Sequence, residues 1–135
     1  MSLSVARYDA HDVALNACLA KLLRDFDADL PAALDAFQKS YSDWVSGRPG
    51  MRPRSRAARI HAERLGNDLF ALIRGYAVAY TQLTTHARER SMIVHDHHLS
   101  PWIASGIHDV AAGKTGWYTL EEMLNQKGMD AATGE

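Results

Sequence analysis

The chain has 135 residues, of which 47% are hydrophobic and 23% charged, as in one soluble globular domain rather than a disordered or fibrous chain. No apolar run approaches the roughly 20 residues that span a bilayer, so we expect no membrane association. The first ten residues lack the apolar core of a signal peptide. Cys18 is the single cysteine and cannot form an internal disulfide. These features favour a cytoplasmic protein.

The composition favours helices over strands. The chain contains 21 Ala and 14 Leu against 6 Val and 5 Ile, and no segment alternates apolar and polar residues as a half-buried strand does. We therefore predict an all-α fold, an up-and-down bundle of four main helices with a short C-terminal helix. Residues 1–128 form this single domain, and residues 129–135 form a frayed tail.

Two helices are predicted in the first 47 residues. The first begins at Asp9, an N-cap candidate, and ends near Phe26, after which acidic residues lead into the second. The second begins near Pro31, which suits a first helical turn, and ends at Gly47. Apolar residues at three- and four-residue spacing predict the buried face of the first helix. They are Leu15, Cys18, Leu19, Leu22 and Phe26.

Three further helices are predicted beyond a loop at residues 47–53. A long helix runs from about Ser55 to Arg90. Ser100 caps a fourth helix, with Pro101 at its first position and Gly113 at its end. A capping box begins a short helix from Thr119 to Lys127, which packs on the bundle.

The charges are segregated along the chain although the net charge is only −1. Residues 1–47 carry −3, residues 48–90 carry +6 and residues 91–135 carry −4. This layout is typical of a basic surface for a polyanion, or of charge pairing between parts of a bundle.

Five arginines fall within twelve residues that contain no acid. Arginine binds phosphate or carboxylate through two parallel hydrogen bonds, so this block is a candidate substrate-binding surface. The alternatives are a solvated loop with the first turn of a helix, and a surface that pairs with acidic residues of a partner. The five are Arg48, Arg52, Arg54, Arg56 and Arg59.

Four of the seven histidines lie close together in the sequence, and three of them are nearly consecutive: His95, His97 and His98. His95 and His98 have the spacing of ligands on one helix face. No HExxH, cysteine pair or Glu-x-x-His accompanies them, so we assign no metal site and no cofactor. Adventitious binding of nickel or zinc is the alternative. The chain also lacks a P-loop, a dinucleotide fingerprint and a Gly-x-Ser-x-Gly elbow, which excludes those enzyme classes.

The segment Arg90-Ser91-Met92-Ile93-Val94-His95-Asp96-His97 follows the long helix. An arginine, four residues and a histidine at the end of a long amphipathic helix resembles the HEPN superfamily, whose signature is an arginine, four to six residues and a histidine. Ser91 fills the polar position after the arginine, where the family most often has asparagine. Ile93-Val94 and Asp96 around His95 resemble members that are paired with nucleotidyltransferases. Those members carry a tyrosine where this chain has His97.

The resemblance implies a small helical-bundle ribonuclease that needs no metal, or an inactive RNA-binding relative, in a toxin–antitoxin or defence system. Arg90 would then bind the scissile phosphate, and His95 would be the general acid or base. Ser91, Asp96 and His97 would be neighbours that tune the site and contact substrate. Family members place two Arg–His pairs across a dimer cleft, which implies a homodimer, with an antitoxin or other protein as a further partner.

An alternative function is a non-catalytic helical interaction module that binds DNA or a protein partner through its arginine-rich segment. A histidine-cluster metal sensor is a third hypothesis. For Arg90 the structural alternative is a cation favoured by the dipole at a helix C-terminus. For His95 it is an exposed polar residue between helices.

Overall fold

The computed structural model describes residues 2–113, and the side chains of residues 10–113. Within this range the chain is all-helical, as predicted, and contains no strand. Three helices follow one another: α1 (Ser2–Ser46), α2 (Arg56–Glu89) and α3 (Pro101–Ala111). The predicted helix from Thr119 to Lys127 and the tail at 129–135 lie outside the described residues.

The prediction of two separate helices before Gly47 is wrong, because α1 runs through Pro31 without interruption. Proline in a helix interior removes one backbone hydrogen bond and costs roughly 3 kcal/mol. Residues on both sides of Pro31 nevertheless pack on the same partner helix, with Phe26 and Phe37 fully buried in one core. Burying such side chains contributes about 1.5–3 kcal/mol each, which offsets the proline penalty. The described residues thus contain three helices instead of the four expected.

Helices α1 and α2 form an antiparallel pair along their length. Near the connecting loop, Trp44 packs in the same cluster as Ala58. At the other end, Leu15 and Leu19 cluster with Ala87. Because both helices are long, the two ends of the pair lie far apart.

Tyr76 connects the middle of the pair. Its ring packs edge-on against Phe26, with ring centroids 5.4 Å apart. Its hydroxyl donates a hydrogen bond to Asp29. That hydrogen bond, then burial and the charges of Asp29 and Asp25, raise the pKa of Tyr76 to about 12. The phenol therefore stays protonated and remains a donor at ordinary pH.

The ends of α2 and α3 agree with the predictions. Ser55 precedes α2, and its side chain accepts a hydrogen bond from the backbone nitrogen of Ala58 at 3.2 Å. Ser100 caps α3 by accepting from Ile103, and Pro101 occupies the first turn. Both serines have extended backbone angles, as N-cap residues do.

Helix α3 packs on α2 through a glycine. A Cβ atom built on Gly106 would lie 2.9 Å from Cγ2 of Ile73 and 3.1 Å from Cβ of Ala77. Real side chains do not tolerate such a contact with a well-packed neighbour, so the close approach of the two helices requires glycine here. Helix α2 therefore lies between its two partners and buries Ile73 and Ala77 besides the stripe that faces α1.

Substitution of two glycines tests this packing. Gly106→Ala is expected to lower the free energy of unfolding by about 1–3 kcal/mol, because the added methyl group overpacks the α2–α3 contact. Gly75→Ala is the matched control, since nothing lies within 4 Å of a Cβ built there. It is expected to raise stability by roughly 0.5–1 kcal/mol through helix propensity. Urea denaturation measures both, and equal effects of the two substitutions would contradict the close contact.

Candidate functional site

The predicted Arg–His segment leaves α2 through a Schellman motif. The backbone nitrogen of Met92 donates to the carbonyl of Ala87 at 2.8 Å, and that of Ser91 to the carbonyl of Arg88 at 3.1 Å. Ser91 has φ +55°, the left-handed conformation that this motif needs and that glycine usually supplies. Ser91 thus shapes the backbone that carries Arg90 and the residues after it.

Two buried polar side chains of α1 then hold the segment. Asp12 Oδ1 accepts from the backbone nitrogen of Ile93 at 3.0 Å. Asn16 Nδ2 donates to the carbonyl of Ile93 at 2.9 Å, and Asn16 Oδ1 accepts from the nitrogen of His95 at 2.8 Å. The Asn16 amide therefore pairs with the backbone as a neighbouring strand would. We call Asp12 and Asn16 the polar clamp.

The polar clamp binds backbone and leaves side chains of the segment exposed. Arg90, His95 and Asp96 are exposed, whereas His97 is half-buried with Nε2 3.2 Å from Asn16 Oδ1. In the part of the chain that the structure describes, no hydrogen bond or ion pair engages the Arg90 guanidinium or the His95 imidazole. The predicted catalytic residues therefore lie in one short, fixed segment, with both side chains open to solvent.

Tyr80 of α2 lies near this segment. Burial raises the pKa of Tyr80, and the charge of Asp96 raises it further. The Asp96 carboxylate is therefore close enough to act on a phenol that packs in the hydrophobic core.

The histidines do not form a metal centre in the described residues. No group of three or more His, Cys, Asp or Glu side chains there is arranged to hold a metal ion. His95 is exposed, and the ring of His97 is directed to Asn16.

The predicted arginine block forms the loop between α1 and α2 together with the first turn of α2. Gly47 ends α1 with φ +77°, and its amide donates to the carbonyl of Asp43. Arg48 and Met51 exchange two backbone hydrogen bonds of 3.0 and 2.8 Å, and Arg54 has φ +59°. Hydrogen bonds between residues of the loop therefore hold its backbone in one conformation.

Two of these arginines lie over the ring of Trp44. The guanidinium carbon of Arg54 lies 4.6 Å from the centroid of the Trp44 ring, and that of Arg59 lies 5.9 Å from it. Arg59 also pairs with Glu63 at 3.5 Å. Arg48 approaches Asp43 at 4.0 Å, a long ion pair.

Arg52 and Arg56 are exposed, and no described residue pairs with either. We call this region, the loop at residues 47–55 with Arg56 and Arg59, the arginine-rich end. It carries positive charge that the described residues do not fully neutralise.

The structure does not bring the arginine-rich end to Arg90 and His95 within one chain. Trp44, at the first site, and Asn16, at the second, lie 28 residues apart on one continuous helix. At 1.5 Å per residue they are separated by about 40 Å. The predicted substrate-binding arginines and the predicted catalytic pair are therefore two separate sites on one chain.

Sequence reasoning missed the contacts that position both sites. Asp12 and Asn16 were assigned no role, and no contact with arginine was expected of Trp44. Cys18, expected in the core, is exposed. Asp12 and Asn16 are buried. Their four-residue spacing beside Leu15 was the available signal, because two polar residues on an apolar helix face indicate a buried polar contact.

Comparisons with protein-family models, curated proteins and solved structures find no match to this chain. Among the described helices, none combines the length and apolar character needed to cross a membrane. The HEPN resemblance therefore depends on the residues from Arg90 to His97 and on the helical architecture.

Proposed function

We propose that this chain is a HEPN-like RNA-binding protein that holds the RNA backbone on its arginine-rich end. The observation that carries the proposal is the uncompensated charge there. Between residues 39 and 64 the chain has seven Lys and Arg against two Asp and Glu. A polyanion neutralises such a surface and releases its own counterions, which drives binding.

The geometry of the loop supports backbone contact. The Arg54 guanidinium lies over the Trp44 ring and makes no hydrogen bond to a described residue, so its N–H groups remain available to phosphate. Arg52 and Arg56 have no partner in the described chain. Because the loop backbone is already folded, less conformational entropy is lost when these side chains bind.

The other end of the molecule is a weaker polyanion surface. From residue 86 to residue 98 two arginines are balanced by Glu89 and Asp96. The arginine-rich end is therefore the expected first contact for RNA. A homodimer, an antitoxin or other protein partner and a cytoplasmic location belong to the same proposal, through the resemblance.

Charge removal at the arginine-rich end tests RNA binding. The double variant Arg52→Gln/Arg56→Gln is expected to weaken binding of a labelled single-stranded RNA about tenfold at physiological salt. Loss of two phosphate contacts also lowers the slope of log affinity against log salt by roughly 1.4. Fluorescence anisotropy across a salt series measures both quantities.

The matched control is Lys21→Gln/Arg24→Gln, which removes the same charge from an exposed part of α1. An equal loss in this control would contradict a localised surface. Unlabelled DNA and polyglutamate are added as competitors. RNA that competes no better than either polymer would contradict the proposal and favour the alternative module that binds DNA or an acidic protein.

A second candidate function is metal-independent RNA cleavage by Arg90 and His95. The polar clamp favours it, because the clamp fixes the backbone of His95 while leaving its imidazole exposed. His95 would transfer the proton of the ribose 2′-hydroxyl, and Arg90 would stabilise charge on the scissile phosphate. Ser91, Asp96 and His97 would set the backbone and electrostatics around this pair.

Cleavage of a labelled RNA in EDTA tests this candidate. His95→Ala and Arg90→Ala are each expected to slow cleavage at least about 100-fold, the contribution of a general acid–base residue. His98→Ala is the matched control, because His98 is exposed and lies outside the Arg–His signature. Cleavage that survives both substitutions, or no cleavage by the wild type, would reject the catalytic assignment and leave RNA binding as the function.

A further inference from the structure

A polar cleft adjoins the arginine-rich end and shares Arg48 with it, whereas its other lining residues belong to neither site described above. It encloses about 280 Å³ between α1, the loop and α2. Lys39 of α1, Arg48 of the loop and His61 of α2 line it from three different elements. Three nitrogen-bearing side chains therefore surround one small space.

The side chains that line the cleft carry more positive than negative charge. Among the described residues that line it, Asp43 is the only carboxylate, and its Oδ2 lies 4.0 Å from Arg48 Nε. At that distance Asp43 neutralises at most one cation and leaves the ammonium of Lys39 without a partner in the described chain. The hydroxyl of Ser40 is already used, since it donates to the carbonyl of Phe37 at 2.8 Å.

The contact with Arg64 determines the tautomer of His61. Arg64 Nη2 lies 3.3 Å from His61 Nδ1, and a guanidinium can only donate. His61 Nδ1 is therefore the acceptor, so the neutral ring carries its proton on Nε2. His61 is thus a donor at Nε2, and Arg64 places a further positive charge beside the cleft.

We propose that this cleft binds a phosphate monoester. A tetrahedral dianion can accept hydrogen bonds from several directions at once, and here an ammonium, a guanidinium and an imidazole N–H are supplied by three separate elements. The volume suits a small anionic group rather than an extended ligand. The source is either the terminal phosphate of an RNA strand or a free small molecule. The RNA source rests on the proposed function, whereas the phosphate chemistry does not.

Calorimetric titration with inorganic phosphate tests the cleft directly. We expect saturable binding that Lys39→Gln and His61→Gln each weaken about tenfold, as loss of one charge-assisted hydrogen bond does. Both side chains are exposed, so neither substitution disturbs the core. Lys21→Gln is the matched control, since Lys21 is an exposed lysine of α1 paired with Asp25. Absence of saturable binding, or an equal loss in the control, would overturn the proposal.

Three versions of one RNA identify the source. They carry a 5′-phosphate, a 3′-phosphate or no terminal phosphate. Tighter binding of a phosphorylated version, lost in Lys39→Gln, supports an RNA end as the ligand. Phosphate binding without such a preference supports a free phosphorylated molecule. RNA binding that depends on Arg52 and Arg56, without phosphate binding in calorimetry, overturns the cleft and leaves the proposed function intact.

Discussion

The fold depends on one uninterrupted apolar stripe along α1. Phe26 and Phe37 lie on either side of Pro31, and both are fully buried against α2. Their burial holds the chain helical through a residue that lacks a backbone donor. Because α1 does not fold back, Asn16 and Trp44, which lie at the two candidate sites, are about 40 Å apart along the helix. The separation of the two candidate sites follows from this continuity.

Different interactions stabilise the non-helical segments at the two ends of the α1–α2 pair. At one end, the buried Asp12 and Asn16 supply hydrogen bonds to a segment that has no strand beside it. At the other, two guanidinium groups lie over the aromatic ring of Trp44. The first arrangement fixes backbone and frees the His95 side chain, and the second holds charged side chains. The chain therefore has one end that exposes a histidine on a fixed backbone and one end that exposes several arginines.

Local signals predicted much of the fold. The start of α2 near Ser55, the cap at Ser100 and the all-helical class were predicted from local sequence features. The prediction of two separate helices around Pro31 was wrong. It considered only the local effect of proline on the helix, and the sequence alone does not show the packing of α1 on α2. The face of α1 was also misjudged, since Cys18 was expected in the core in place of Asn16. Asn16 is buried only because a distant segment needs its amide, and no local pattern contains that information.

The distance between the two ends of α1 tests the account most directly. Cys18 is exposed and carries one spin label, and Ser46→Cys, also an exposed position, carries the other. For the continuous helix, pulsed electron paramagnetic resonance on labelled protein diluted in unlabelled protein is expected to give one dominant distance of about 40 Å. Two helices folded back at Pro31 would pack 8–10 Å apart and bring the labels within roughly 20 Å of each other. A dominant distance in that short range would contradict the continuous α1 and the separation of the two sites.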